Sequence, residues 1–133
     1  MGQPAAKQGD RIVATDIHIV LVPSASGAVP TPLPHAFSGA LNGSLSSDVN
    51  IEGRPAATVG STADNVPPHL PTPPGTAFQT PPANRGTIQM GSATVKINGK
   101  PAARSGDTAV TCNEPVDLPA GTVVAAGTVG IGG

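Results

Sequence analysis

Val95-Lys96-Ile97-Asn98-Gly99-Lys100-Pro101-Ala102-Ala103-Arg104-Ser105-Gly106-Asp107-Thr108 decides the fold, because the chain carries this unit more than once. Val49-Asn50-Ile51-Glu52-Gly53-Arg54-Pro55-Ala56-Ala57-Thr58-Val59-Gly60-Ser61-Thr62 aligns with it over fourteen positions without a gap. Gly2-Gln3-Pro4-Ala5-Ala6-Lys7-Gln8-Gly9-Asp10 is a half copy, and Val129-Gly130-Ile131-Gly132-Gly133 supplies the other half. The expected organisation is one domain over 1–133, with copies at 49–62 and 95–108 and a split copy joining 129–133 to 2–10. Joined end to end, the termini complete a third unit. That pattern predicts a closed pseudo-threefold object, since an open solenoid needs distinct caps.

Each unit has a plain physical reading. Val-x-Ile is a period-2 strand with two apolar side chains on one face. The following Gly permits a turn at positive φ. Pro then fixes φ, Ala-Ala packs where space is short, and Gly-Asp or Gly-Ser marks the next turn. Three equivalent strands carrying Val49/Ile51, Val95/Ile97 and Val129/Ile131 are expected to build an inner core and a broad base. Thr87 to Met90, a Gly91-Ser92 turn and Ala93 to Ile97 read as one hairpin.

Composition narrows the function. Seven Lys plus Arg against eight Asp plus Glu give a net charge of -1, which argues against a nucleic-acid binder. Gly (17) and Pro (16) make up about a quarter of the 133 residues, which disfavours long helices. With no Trp or Tyr the apolar core is thin, and a small β domain of this kind needs a staple. The single cysteine, Cys112, cannot form an internal disulfide, so that staple is a metal or a partner chain. The longest apolar stretch, Ile12 to Val22, is interrupted by Asp16 and His18 and is too short to span a membrane. It reads as a strand through Ile17-His18-Ile19-Val20-Leu21 and not as a classical secretion signal. Val22 to Pro34 and Val66 to Pro82 are Pro-rich and read as ordered loops of polyproline character laid over the β core.

Those loops hold histidines. His18 lies nine residues after Gly9, His69 nine after Gly60, and Cys112 six after Gly106. Each repeat thus offers one donor after its turn, and three such positions converge on a threefold axis. His35, from Pro32-Leu33-Pro34-His35, adds a fourth. Two imidazole-bearing repeats, a third imidazole and one thiolate in tetrahedral array suit Zn²⁺, and four protein donors make a closed, structural site. The metal expectation is therefore one zinc per chain on His18, His35, His69 and Cys112, with iron less favoured. Asp16, beside His18, is placed to orient a ligand.

Pro101-Ala102-Ala103-Arg104, with Pro4-Ala5-Ala6-Lys7 and Pro55-Ala56-Ala57-Thr58, resembles the PAAR-repeat family across the whole chain. Val95 to Asp107 carries its most specific part; the copy at 49–62 departs from it at Thr58 and at Gly60-Ser61. The resemblance implies an all-β, metal-stapled pointed cone of three β-hairpin repeats, with a zinc near the apex held by three His and one Cys. It implies a structural role at the tip of a contractile injection system: a type VI secretion spike, an extracellular phage-tail-like particle or a phage baseplate. The implied partner is a homotrimeric, VgrG-like β-helical spike at the broad base. Effector cargo and a transient meeting with a target membrane are also implied. The protein is then a monomer alone, assembled in the bacterial cytoplasm and exposed outside on firing.

Two other functions use the same residues. A zinc hydrolase needs an open coordination position and a general base. The two glutamates, Glu52 and Glu114, are at no metal-motif spacing from a histidine. A Pro-rich adaptor needs a basic flank, and Pro71-Thr72-Pro73-Pro74 has none. The structural tip is the stronger expectation, with no catalytic residues.

Overall fold

The computed structural model describes residues 2–132, and among them there is no helix. The strands, in chain order, are β1 (Gln3–Pro4), β2 (Arg11–Val22), β3 (Val29–Gly43), β4 (Asn50–Ile51), β5 (Arg54–Pro55), β6 (Thr62–Asn65), β7 (Ala77–Phe78), β8 (Arg85–Ile88), β9 (Lys96–Ile97), β10 (Lys100–Pro101), β11 (Thr108–Thr111), β12 (Leu118–Val124) and β13 (Gly130–Ile131). β2 with β3, β6 with β8, and β11 with β12 are three antiparallel pairs. The pairings β3–β6, β8–β11 and β12–β2 join them, closing six strands into a barrel-like cone. Closure leaves no open edge within the ring.

Period-2 alternation along these strands turns Ile12, Leu41, Ala63, Ile88, Ala109 and Val123 into the barrel, where all are buried. Phe37 fills the space above them. β3 and β6 approach closely at Gly39, where a Cβ would lie 2.6 Å from the Asp64 carbonyl oxygen.

The repeated Pro-Ala-Ala segments meet on the axis. Ala6 N donates to the Ala103 carbonyl (3.0 Å), Ala103 N to that of Ala57 (3.1 Å), and Ala57 N to that of Ala6 (3.0 Å). A second triplet runs from Gln8 N to Pro55 O, Val59 N to Pro101 O and Ser105 N to Pro4 O. The three units therefore pair cyclically, and the fold is pseudo-threefold. Alanine is required there because larger side chains would fill the axis where these backbones approach; Ala6, Ala57 and Ala103 have no exposed surface.

Below this ring stand three two-stranded ribbons: β4 with β5, β9 with β10, and β13 with β1, the last pairing Gln3 with Ile131. The first two turn through Glu52-Gly53 (φ 52 and 81) and Asn98-Gly99 (φ 51 and 78). Two consecutive positive φ values are the primed turn whose twist matches that of paired strands. Ile51, Ile97 and Ile131 pack with Ala5, Ala56 and Ala102 into a second small core. The valines share that burial unequally: Val49 is partly buried against this core, whereas Val95 and Val129 are 37% and 40% exposed and sit at the rim. The turns interlock the sectors. Asn98 accepts from Ser46 Oγ and donates to Asp48, Glu52 accepts from Thr128 N, and the Gly132 carbonyl accepts from Ser92 Oγ.

Two expectations need correction. Thr87 to Ile97 is not a hairpin: β8 pairs with β6 and β11, and β9 pairs with β10. The cause is the repeat itself, since Ile97 belongs to a base ribbon and Ile88 to the barrel wall. The stretch from Val29 to Pro34 is not an unpaired polyproline loop. It is the outer part of β3, in register with β2 from Ile17↔Pro34 to Val22↔Val29. Opposite Pro30, Pro32 and Pro34, β2 turns its backbone groups to its other edge. There Ile17 N and Ile19 N donate to Asn113 and Glu114, and Ile19 O and Leu21 O accept from Gln79 N and Thr76 N. The prolines thus occupy positions where no N–H is asked for, and they blunt the outer edge of β3.

The axis sets a first prediction. Ala57→Val adds two methyl groups where no space exists and is expected to cost about 1–3 kcal/mol, with similar losses for Ala6→Val and Ala103→Val. Urea unfolding of the three variants measures this; a neutral substitution at any one of them would break the equivalence of the sectors.

Candidate metal centre

The ribbons occupy one end of the barrel, and β2, β6 and β11 run away from it. Residues late in these strands therefore meet at the opposite, narrow end. β2 brings Asp16 and His18, two residues apart and both buried on one face. β3 brings His35, the register partner of Asp16. Cys112 follows the last residue of β11. His69 comes from the loop after β6, where its backbone N donates to Asn84 Oδ1 (2.8 Å) while Asn65 N donates to the Asn84 carbonyl (2.8 Å). Asn84 sits at φ 57, which asparagine tolerates better than most residues.

One donor atom from each of Asp16, His18, His69 and Cys112 lies within 4.8 Å of the others, and all four residues are buried. Of the expected donors, His18, His69 and Cys112 are thus gathered, and Asp16 joins them. His35 lies against the group. Its ring centroid is 5.5 Å from those of His18 and His69, which are themselves 5.1 Å apart. Its nitrogens are engaged elsewhere: Nδ1 donates to the Leu33 carbonyl (2.9 Å) and Nε2 accepts from Thr72 N (3.2 Å). Phe78, from β7 on β2, stacks near His18 and His35 and covers them.

The polar groups here are satisfied with one exception. Asp16 Oδ2 accepts from His69 Nε2 (2.9 Å) and Cys112 Sγ (3.5 Å), and Oδ1 accepts from Thr111 Oγ1 and Asn113 Nδ2. Asn65 Nδ2 donates to His69 Nδ1 (3.2 Å). His18, by contrast, is buried with no hydrogen-bond partner on either nitrogen. Glu114 Oε1 comes to 3.4 Å from its Nδ1 without completing a bond. Sequence spacing had set Glu114 apart from the histidines; the loop after Cys112 folds back along β2, with Glu114 N bonded to the Ile17 carbonyl, and brings it in. Spacing counts residues along one segment and does not see such a return.

Burial, then the neighbouring His69, pushes the His18 pKa down, against the opposing pull of Glu114 and Asp16. Burial likewise lowers that of His35, against its bond to the Leu33 carbonyl. Both imidazoles are therefore biased to the neutral form that ligates metals. Burial, reinforced by Asp16, pushes the Cys112 thiol up to about 11. The thiol keeps its proton at neutral pH until a cation displaces it. Imidazole nitrogens, a sulfur and a carboxylate oxygen suit a borderline transition-metal ion, and the unpartnered His18 nitrogens are what such an ion would satisfy. The residues present fit a metal.

A family model for the PAAR motif matches residues 22–113 and again 78–133. No curated protein matches the sequence significantly.

His18 gives the second prediction. Stripping metal with a chelator should lower the melting temperature of the native protein. His18→Leu should remove that response while leaving the metal-free form as stable or more so, since an unsatisfied buried polar group costs about 1–3 kcal/mol. Thermal melts with and without chelator measure both; a His18→Leu variant that still responds to chelator like the native protein would remove His18 from the centre.

Proposed function

The chain belongs to the PAAR-motif family, and from that premise we propose that it caps and sharpens the trimeric β-helical spike of a contractile injection system. The single observation that carries this reading is the mismatch between the two ends. One end repeats the same ribbon three times around an axis, through Ile51, Ile97 and Ile131. The other gathers a single polar cluster beneath a narrow crown. A pseudo-threefold face on one chain meets the end of a true trimer with near-equivalent contacts in three places, whereas a twofold interface would leave that symmetry unused. The exposed rim valines Val95 and Val129 supply apolar contact area at equivalent positions.

In this reading the metal is one structural zinc per chain. His18, His35, His69 and Cys112 would hold it, the set that the resemblance implies. It staples a tip whose apolar core is too small to withstand puncture unaided. No catalytic residue is assigned. The protein is a monomer alone, is assembled in the bacterial cytoplasm, leaves at the front of the particle, and offers its outer loops to effectors.

Two measurements test this. Elemental analysis of gently purified protein should find about one zinc per chain; a metal-free protein of full stability would end the staple. Co-purification with the cognate spike protein should give one tip per spike trimer. Val95→Asp and Val129→Asp should each abolish it while shortening the loop from Thr72 to Thr76 should not. Unimpaired capture by both valine variants would move the docking face elsewhere.

A further inference from the structure

Among the described residues, Asp16 is the one fully buried carboxylate at the narrow end, with 0% of its surface exposed. Its surroundings come from every element that packs on it: His69 from the loop after β6, Thr111 at the end of β11, Cys112 and Asn113 after it, and His35 across the β2–β3 ladder. All are neutral side chains or groups that become positive only on gaining a proton. Among the described residues, no lysine or arginine pairs with Asp16, although Asp10, Asp64 and Asp107 each have one. Beside it lie the two unpartnered nitrogens of His18, whose side chain is 2% exposed. A buried anion without a fixed cation and a buried imidazole without a partner are both unfavourable. They share one remedy, a cation between them.

We infer that Asp16 is the counter-charge of the metal centre. The other nearby carboxylate, Glu114, is partly exposed and already accepts from Ile19 N. One thiolate, from Cys112, leaves a divalent ion with an excess positive charge at a buried site. The carboxylate of Asp16 cancels it, and the ion in turn neutralises a charge that the metal-free protein must bury. This rests on the metal-staple reading above and adds to it. The centre is selective for divalent ions through charge balance, and Asp16 works against the stability of the metal-free form.

Asp16→Asn tests this because it removes charge with little change of shape. The amide oxygen can still accept from His69 and Cys112, its NH₂ can donate to Thr111 Oγ1, and Asn113 Nδ2, which loses the carboxylate oxygen, keeps the Thr111 carbonyl at 3.2 Å. The probe is Co²⁺, whose thiolate charge-transfer absorption reports Cys112 ligation and whose affinity is read by competition with a chelator. Asp16→Asn is expected to keep the thiolate band, to weaken Co²⁺ binding roughly 10–100-fold, and to melt no lower than the native protein when both are metal-free. A second variant, Thr111→Val, strips a hydrogen bond from the carboxylate but keeps its charge. It should lower the metal-free melting temperature and leave Co²⁺ affinity undiminished. Unchanged Co²⁺ affinity in Asp16→Asn overturns the inference while leaving the staple standing. So does a metal-free Asp16→Asn protein that is destabilised or unfolded, which would make Asp16 a purely structural hydrogen-bond acceptor. A native protein that takes up no Co²⁺ overturns the staple itself, and the inference with it.

Discussion

Three backbone hydrogen bonds, each from an alanine of one repeat to an alanine of the next, hold the molecule in register. They run Ala6 to Ala103, Ala103 to Ala57 and Ala57 to Ala6. Because they close on themselves, none can be made well unless all three sectors are placed. Everything else is hung on this ring. Above it, Leu41, Ile88 and Val123 turn their carbonyls to Gly9, Gly60 and Gly106, so each barrel strand begins at the same height. Below it, the three isoleucines share one small core. A chain this poor in large apolar residues gains order from cyclic closure, which removes strand edges and lets short, weak ribbons support one another.

The lower half of the fold was legible because its constraints act through local residue type. Gly at a primed turn, Pro before an extended segment and Ala on a crowded axis leave the same mark wherever the unit recurs. The upper half was less so. The long β2–β3 hairpin interrupts the threefold pattern, and its outer strand reads as a loop because Pro30, Pro32 and Pro34 suggest a chain without ladder partners. What makes it a strand is the alternation of those prolines, which places each where β2 directs its backbone to Asn113, Glu114 and β7. Alternating prolines were the available signal, and only the partner strand gives them that meaning.

The candidate site shows the same division. Counting from the repeat glycines singles out His18, His69 and Cys112, and the structure brings those three together. It also brings in Asp16, which the same count passes over because the repeats place no carboxylate at its equivalent positions. Glu114 reaches His18 only through the return of its loop along β2. His35 has no place in that count; residue type, its Pro-flanked segment and the family resemblance point to it. Its position against the other imidazoles bears on the site, but both its nitrogens are bonded to the backbone of Leu33 and Thr72. Symmetry predicts which strands converge; it does not predict which atoms point inward where the symmetry is broken.

That breakdown is itself a division of labour along the axis. A threefold-repeated surface cannot form a single site on its axis from one kind of residue without three copies of that residue. Here the equivalents of one another diverge as the strands rise: Ala14, Asn65 and Thr111 occupy one level, and Thr15, Val66 and Cys112 the next. Only one of the three at the upper level is a sulfur donor. The base stays repetitive because Ile51, Ile97 and Ile131 share one small core with Ala5, Ala56 and Ala102, and equivalent ribbons fill it equally. The crown differs from strand to strand because the cluster of Asp16, His18, His69 and Cys112 is assembled from distinct side chains. The ring of alanine hydrogen bonds separates the two regimes: below it a substitution must suit three sectors at once, whereas above it each strand answers only to the cluster it helps to build.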